Sequence, residues 1–164
     1  MKRVSVELRY PGRTVQEVRA MLADPAFRQA VCDYQAVEDS QVSVEEYDDG
    51  SMTVDTHRTY GADFVPSFAR TFVGASIEVV QREEWTATDA TYELTIPGKP
   101  GEMQGRARLT QQGGDVVETI DGEVKVGIPL VGGRLEDMVA GVLENGFRAE
   151  NKVGLKWLAG EWRV

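Results

Sequence analysis

The sequence predicts an α+β fold: one strand, two short helices, six more antiparallel strands and a long C-terminal helix. Three observations predict it. Val occurs 22 times and Gly 17 times in 164 residues, which favours pleated, half-buried surfaces punctuated by turns. Most of the chain up to residue 126 alternates apolar and polar residues with a period of two. Beyond residue 132 the apolar residues instead recur at three and four, the helical spacing.

The first strand, residues 2–10, sets Val4, Val6 and Leu8 against Ser5, Glu7 and Arg9, and Pro11 with Gly12 ends it. Thr14 followed by Glu17 has capping-box spacing, and Val15, Val18, Met21 and Leu22 then recur as in a helix. Asp24 and Pro25 break that helix and begin a second, with Asp24 as N-cap and proline at the first helical position. Strands follow at residues 36–47, 51–59, 76–86, 91–96, 102–111 and 115–126. Short turns join most of them: Asp49 with Gly50, residues 88–90, residues 98–101, and Gly113 with Gly114. Strands joined in this way should be neighbours in the sheet.

Residues 60–75 are too long for a hairpin turn and carry Phe64, Val65, Phe68, Phe72 and Val73. Pro66 is placed to begin a short helix through Arg70, and so apolar a segment must cover something. The long helix spans residues 133–159, with Leu135, Met138, Val139, Val142, Leu143, Phe147, Val153 and Trp157 on its apolar stripe. At 1.5 Å per residue it would reach roughly 40 Å, enough to cross a seven-stranded sheet. Gly141, Gly146 and Gly154 interrupt it, each at about 1 kcal/mol relative to alanine. Close packing on the sheet, free volume for a ligand and a kink are the three explanations.

The formal net charge is −9, with 18 Lys and Arg against 27 Asp and Glu. That balance argues against a nucleic-acid surface, which needs basic side chains gathered on one face. Cys32 and His57 are the single cysteine and histidine. Together they are too few for an internal disulfide or a structural zinc site. The opening MKRVSVELRYPG lacks the continuous apolar run of a secretory signal, and no segment has the length of a membrane span. A cytoplasmic location is therefore expected. The acidic run 44–50 lacks the glycine-centred loop of an EF-hand. There is no Cys–His pair, GxSxG elbow or phosphate-binding glycine loop, so no catalytic residue, metal ligand or cofactor is assigned.

Parity along the strands assigns their faces. The apolar set includes Val54, Ile77, Val79, Trp85, Tyr92, Leu94, Met103, Leu109, Ile120 and Val124, while Asp55, Glu78, Arg82, Arg106, Asp121 and Glu123 fall opposite. His57 falls on the wet face, and Cys32 reads as a small core residue. The same parity turns Thr56, Arg58, Gln81, Glu83 and Glu118 inward. Buried charge demands partners or water. A register slip, an inward ion pair such as Arg58 with Glu83, and a polar cluster that orients a ligand each account for it.

This element order resembles the helix-grip fold of the START-like, or SRPBCC, superfamily that includes the Bet v 1 relatives. The stretch PGRTVQEVRAMLADPAFRQAV is similar to that superfamily's helix pair. GEVKVGIPLVGGRLEDMV and the WT of REEWT further resemble the DUF2505 family. The likeness covers essentially the whole chain, implying a single START-like domain over residues 1–164. It implies a strongly curved sheet wrapped around the C-terminal helix, with an apolar cavity between them that takes a lipid, a polyketide or a similar molecule. The iron triad of related oxygenases needs two histidines, and this chain has one. The candidate ligand-binding residues are then Val54, Arg58, Glu83, Trp85, Tyr92, Leu94, Met103, Glu118 and Ile120 on the sheet. Phe68 and Phe72 in the covering segment and Met138, Val142 and Gly146 on the helix complete the set.

The leading expectation is a carrier or sensor of a hydrophobic or amphipathic small molecule, with residues 64–73 as a lid and no cofactor. Two alternatives stand beside it. One is an aromatase/cyclase-like enzyme using Arg58, Tyr92 or Glu83 as acid–base groups. The other is an interaction module, which exposed Phe68 and Phe72 would favour. Monomer and homodimer both remain open.

Overall fold

The computed structural model describes residues 1–162. Strand β1 (Lys2–Pro11) is followed by helices α1 (Val15–Leu22) and α2 (Pro25–Gln35), then by strands β2 (Asp39–Glu46) and β3 (Met52–Tyr60). A 3-10 turn at Ala62–Phe64 and helix α3 (Ser67–Val73) lead into β4 (Ile77–Trp85), β5 (Asp89–Thr95), β6 (Gly101–Gln112) and β7 (Asp115–Val126). Helix α4 (Gly132–Leu158) closes the chain.

All seven strands form one antiparallel sheet in the order β1-β7-β6-β5-β4-β3-β2. β2 with β3, and β4 through β7, are the short-turn neighbours that the sequence predicts, while β3 and β4 pair across the long segment that holds α3. The first and second strands, consecutive in sequence, therefore form the two opposite edges, and α1 with α2 must carry the chain from one edge to the other. Their starts are the expected caps. Thr14 Oγ1 accepts from Glu17 N while Glu17 accepts from Thr14 N, and Asp24 accepts from Ala26 N at 2.9 Å. Arg19 anchors α1 to the strand ends, donating to the carbonyls of Thr86 and Gly50 at 3.0 Å each.

Two expected boundaries move by three residues. Residues 36–38 are not strand, because α2 ends on Ala36 in the left-handed region (φ 54°) and pairing starts only at Asp39. The covering helix runs on to Val73 instead of stopping at Arg70, whose guanidinium turns back to the carbonyls of Val65 and Ala62.

Every ladder keeps its register, so the predicted parity holds on each strand. Val4, Val6, Leu8 and Tyr10 of β1, Tyr92 and Leu94 of β5, and Ile120 and Val124 of β7 are buried on the concave side. His57 is exposed on the convex side and Cys32 is buried. Gly105 and Gly122 oppose each other on β6 and β7, where a Cβ on Gly105 would lie 2.6 Å from the Asp121 carbonyl. The missing side chains let the Met103 methyl group fold over the pair.

Helix α4 lies on β1, β7 and α2. Its glycines answer to different causes. A Cβ on Gly154 would meet Tyr10 at 2.8 Å, so that glycine serves close packing, whereas one on Gly141 would meet nothing within 4 Å. Among the described residues no helix is long and apolar enough to cross a membrane.

Candidate functional site

Because α4 rests most closely on β1 and β7, a cleft opens between it and the concave face of β3, β4 and β5. One wall is α4, through Met138, Val139, Val142, Leu143, Gly146 and Phe147. The other is the sheet, through Tyr60, Ile77, Val79, Leu94, Ile96 and Met103. Phe64 stands at the mouth with its ring 5.5 Å from that of Tyr60. The empty space between the walls, open solvent at the mouth included, is about 1040 Å³. The result is a mostly apolar slot.

Its buried and half-buried polar residues come from three elements, Arg28 and Gln35 of α2, Arg58 and Gln81 of the sheet, and Glu150 of α4, while Glu102 of β6 lines it as an exposed side chain. Behind them lies the fully buried carboxylate of Glu83. It accepts from both terminal nitrogens of Arg28 at 2.9 and 3.1 Å, from Gln81 Nε2 at 2.7 Å and from Trp85 Nε1 at 2.9 Å. Arg28 also donates to the Leu22 carbonyl at 2.8 Å and to Glu150 Oε1 at 3.3 Å. Burial works against the Arg28 charge, but the Glu83 and Glu150 carboxylates beside it outweigh burial and hold its pKa above the ordinary value. Such a bidentate, fully bonded arrangement is what lets a buried ion pair offset its desolvation.

A second acidic pair is differently placed. Neither oxygen of Glu118 nor Oε2 of Glu150 has a hydrogen-bond partner among the described residues. Burial, then the neighbouring Glu150 charge, pushes the Glu118 pKa well up, so this carboxyl holds its proton. Burial likewise raises Glu150 to about 7, against the pull of Arg28. A proton on Glu118 lets it donate to Glu150, which supplies the donor the two carboxylates lack. Tyr10 and Tyr92, also buried and with hydroxyls unpartnered among the described residues, are pushed well above their ordinary pKa by burial first and by neighbouring carboxyls second, Glu118 for Tyr10 and Glu83 for Tyr92.

The candidate residues from the sequence divide accordingly. Arg58, Leu94, Met103, Met138, Val142 and Gly146 line the cleft. Val54, Trp85, Tyr92 and Ile120 are packed in the main core. Glu83 and Glu118 are buried in the polar layer without facing the cleft. Phe68 and Phe72 are half-buried against a second apolar cluster of Val65, Ala69, Ile77 and Leu135, and Arg134 lies 4.0 Å over the Phe68 ring. They do not form the exposed pair that an interaction module would favour. The register slip is excluded by the continuous ladders. The anticipated pairing of Arg58 with Glu83 is replaced: Arg58 bonds Gln81 Oε1 at 3.0 Å, and Arg28 takes Glu83.

Sequence reasoning missed Arg28, Gln35 and Glu150. Helical spacing carried a signal for each. Arg28, Val31 and Gln35 share a face of α2, and Glu150 continues the four-residue series Met138, Val142, Gly146 on α4. Among the described residues no group of three His, Cys, Asp or Glu side chains is placed to hold a metal ion.

Comparison with known proteins adds a family and a fold. Residues 5–158 match the model of a family described as "Protein of unknown function (DUF2505)". No curated protein matches the chain. Among solved structures it is similar to TTHA0849 from Thermus thermophilus (TM-score 0.66, 15% identity, 99% of this chain and 100% of that one). A START superfamily protein from Mycobacterium smegmatis is also similar (TM-score 0.58, 16% identity, 92% and 96%). So is Ara h 8.0201 (TM-score 0.56, 11% identity, 97% and 99%). These likenesses establish the helix-grip fold: a curved antiparallel sheet with a long C-terminal helix.

Proposed function

The chain belongs to the DUF2505 family, and from that premise we propose that it binds a hydrophobic or amphipathic small molecule in the cleft between α4 and the sheet, as a carrier or sensor. The observation that carries this reading is the composition of the slot. Apolar side chains from both walls surround it, while a few polar groups converge at one end with hydrogen-bonding capacity left over. Ligand sites have that composition, and a core built only for stability would fill the space or satisfy its polar atoms. The similarity in fold to a START superfamily protein is consistent with it.

The cyclase-type alternative draws less support. Of its three acid–base candidates, Glu83 is saturated by four donors and Tyr92 lies in the core, so only Arg58 reaches the cleft. Native mass spectrometry of the protein purified from its source cells tests the binding reading. A co-purifying small molecule, released when the protein unfolds, is the expected result. An empty protein that also binds no apolar probe in solution would overturn it.

A further inference from the structure

Resting on the cleft being a binding site, we infer that its occupant is an uncharged amphiphile whose polar end is a hydroxyl group, seated between Arg58 of β3 and Gln35 of α2. Two buried polar atoms that belong to cleft-lining residues have no hydrogen-bond partner among the described residues: Arg58 Nε and Gln35 Oε1. The first can only donate, and the second can only accept. An unmet buried group of either kind costs stability, so an occupant that pairs with both kinds gains most.

A hydroxyl supplies one donor and two lone pairs in a single small group. A carboxylate accepts only. It would satisfy Arg58 but leave Gln35 Oε1 unmet, and it would bring a fourth carboxyl group to a layer that already holds Glu83, Glu118 and Glu150 against two guanidinium groups. Of those two, Arg28 is committed through all its nitrogens, to the Leu22 carbonyl, Glu83 and Glu150. An ammonium group donates only and would face Arg58 with like charge.

The test uses chain-matched probes on the full-length protein at pH 8: 1-octanol, octanoate and octylammonium, each titrated calorimetrically, with N-phenyl-1-naphthylamine as an uncharged apolar reference. We expect 1-octanol to bind at least tenfold more tightly than either ion. In an Arg58→Met variant whose melting temperature is checked separately, and in Gln35→Leu, that preference should shrink to within about threefold. If octanoate binds as tightly as 1-octanol while N-phenyl-1-naphthylamine binds normally, the hydroxyl assignment is wrong and the binding reading stands. If the reference probe and all three octyl compounds fail to bind, both fall.

Discussion

Replacing Arg28 with methionine keeps an unbranched stem of similar reach but removes the guanidinium, and the consequences can be worked out bond by bond. Four hydrogen bonds disappear: two to Glu83, one to Glu150 and one to the Leu22 carbonyl. Glu83 remains fully buried, with only Gln81 and Trp85 donating to it and no cation beside it. Removing one partner of a buried ion pair costs about 3–5 kcal/mol, a large share of the 5–15 kcal/mol by which a domain is typically stable. Arg28→Met should therefore lower the free energy of unfolding by about 4 kcal/mol in urea melts followed by tryptophan fluorescence. In the Arg28→Met background, Glu83→Gln should recover at least half of that loss, because the stranded charge is gone. In the wild-type background the same substitution should be destabilising. A double-mutant cycle thus yields a coupling of about 2 kcal/mol or more. A loss below 1 kcal/mol for Arg28→Met, or a Glu83→Gln effect of equal size in both backgrounds, would refute the reasoning.

Two alanine substitutions in α4 should act with opposite signs. Gly141→Ala meets open space and should stabilise by about 1 kcal/mol through helix propensity. Gly154→Ala drives a methyl group into Tyr10 and should cost about 1–3 kcal/mol net of that gain, both read from thermal melts. The stability profile should rise as pH falls from 8 to 5. The Glu150 pKa of about 7 in the folded protein exceeds its ordinary 4.5. Between those values the folded state binds more protons, so its penalty is absent below about 4.5 and complete above about 7. The difference amounts to roughly 3 kcal/mol. Glu118 acts in the same direction, and a Glu150→Gln variant should flatten the slope over that window. A wild-type profile flat from pH 5 to 8, or an unchanged slope in the variant, contradicts the buried acid pair. Below pH 4 the trend should reverse, as Glu17, Asp49 and Asp89, whose hydrogen bonds lower their pKa values, become protonated.

The elements were legible because their causes are local. Thr14 with Glu17, and Asp24 with Pro25, satisfy backbone donors within three residues of themselves, so the helix starts can be read directly from the chain. Strand parity was equally informative: it turned Glu83 and Glu118 inward, and both are buried. What parity could not supply was the partner. The inward-facing cation on the sheet is Arg58, which lies opposite Val79 and not Glu83, and sheet parity offers that pair only as one of three explanations. The actual cation arrives on α2, 55 residues away in sequence, and the second acid on α4, 122 residues from Arg28. Helix periodicity marks Arg28 and Glu150 as sharing faces with apolar residues. It does not say that the two helices meet over the same strand. The covering segment is a milder case. Its apolar residues do cover something, but Phe68 and Phe72 cover the cluster around Ile77 and Leu135, leaving Phe64 at the mouth.

The binding reading is tested most directly by titrating N-phenyl-1-naphthylamine into the wild-type protein and into Gly146→Leu. Gly146 lines the slot, and a side chain there first meets Gln35 at 3.1 Å and then fills the space between helix and sheet. The substitution also removes a helix-interior glycine, which contributes about 1 kcal/mol of stability to set against any strain. Saturable one-to-one binding by the wild type, weakened at least tenfold in a Gly146→Leu protein that melts no lower, is the expected result. Equal affinity in the two proteins, or no saturable binding by the wild type, would contradict a ligand site between α4 and the sheet.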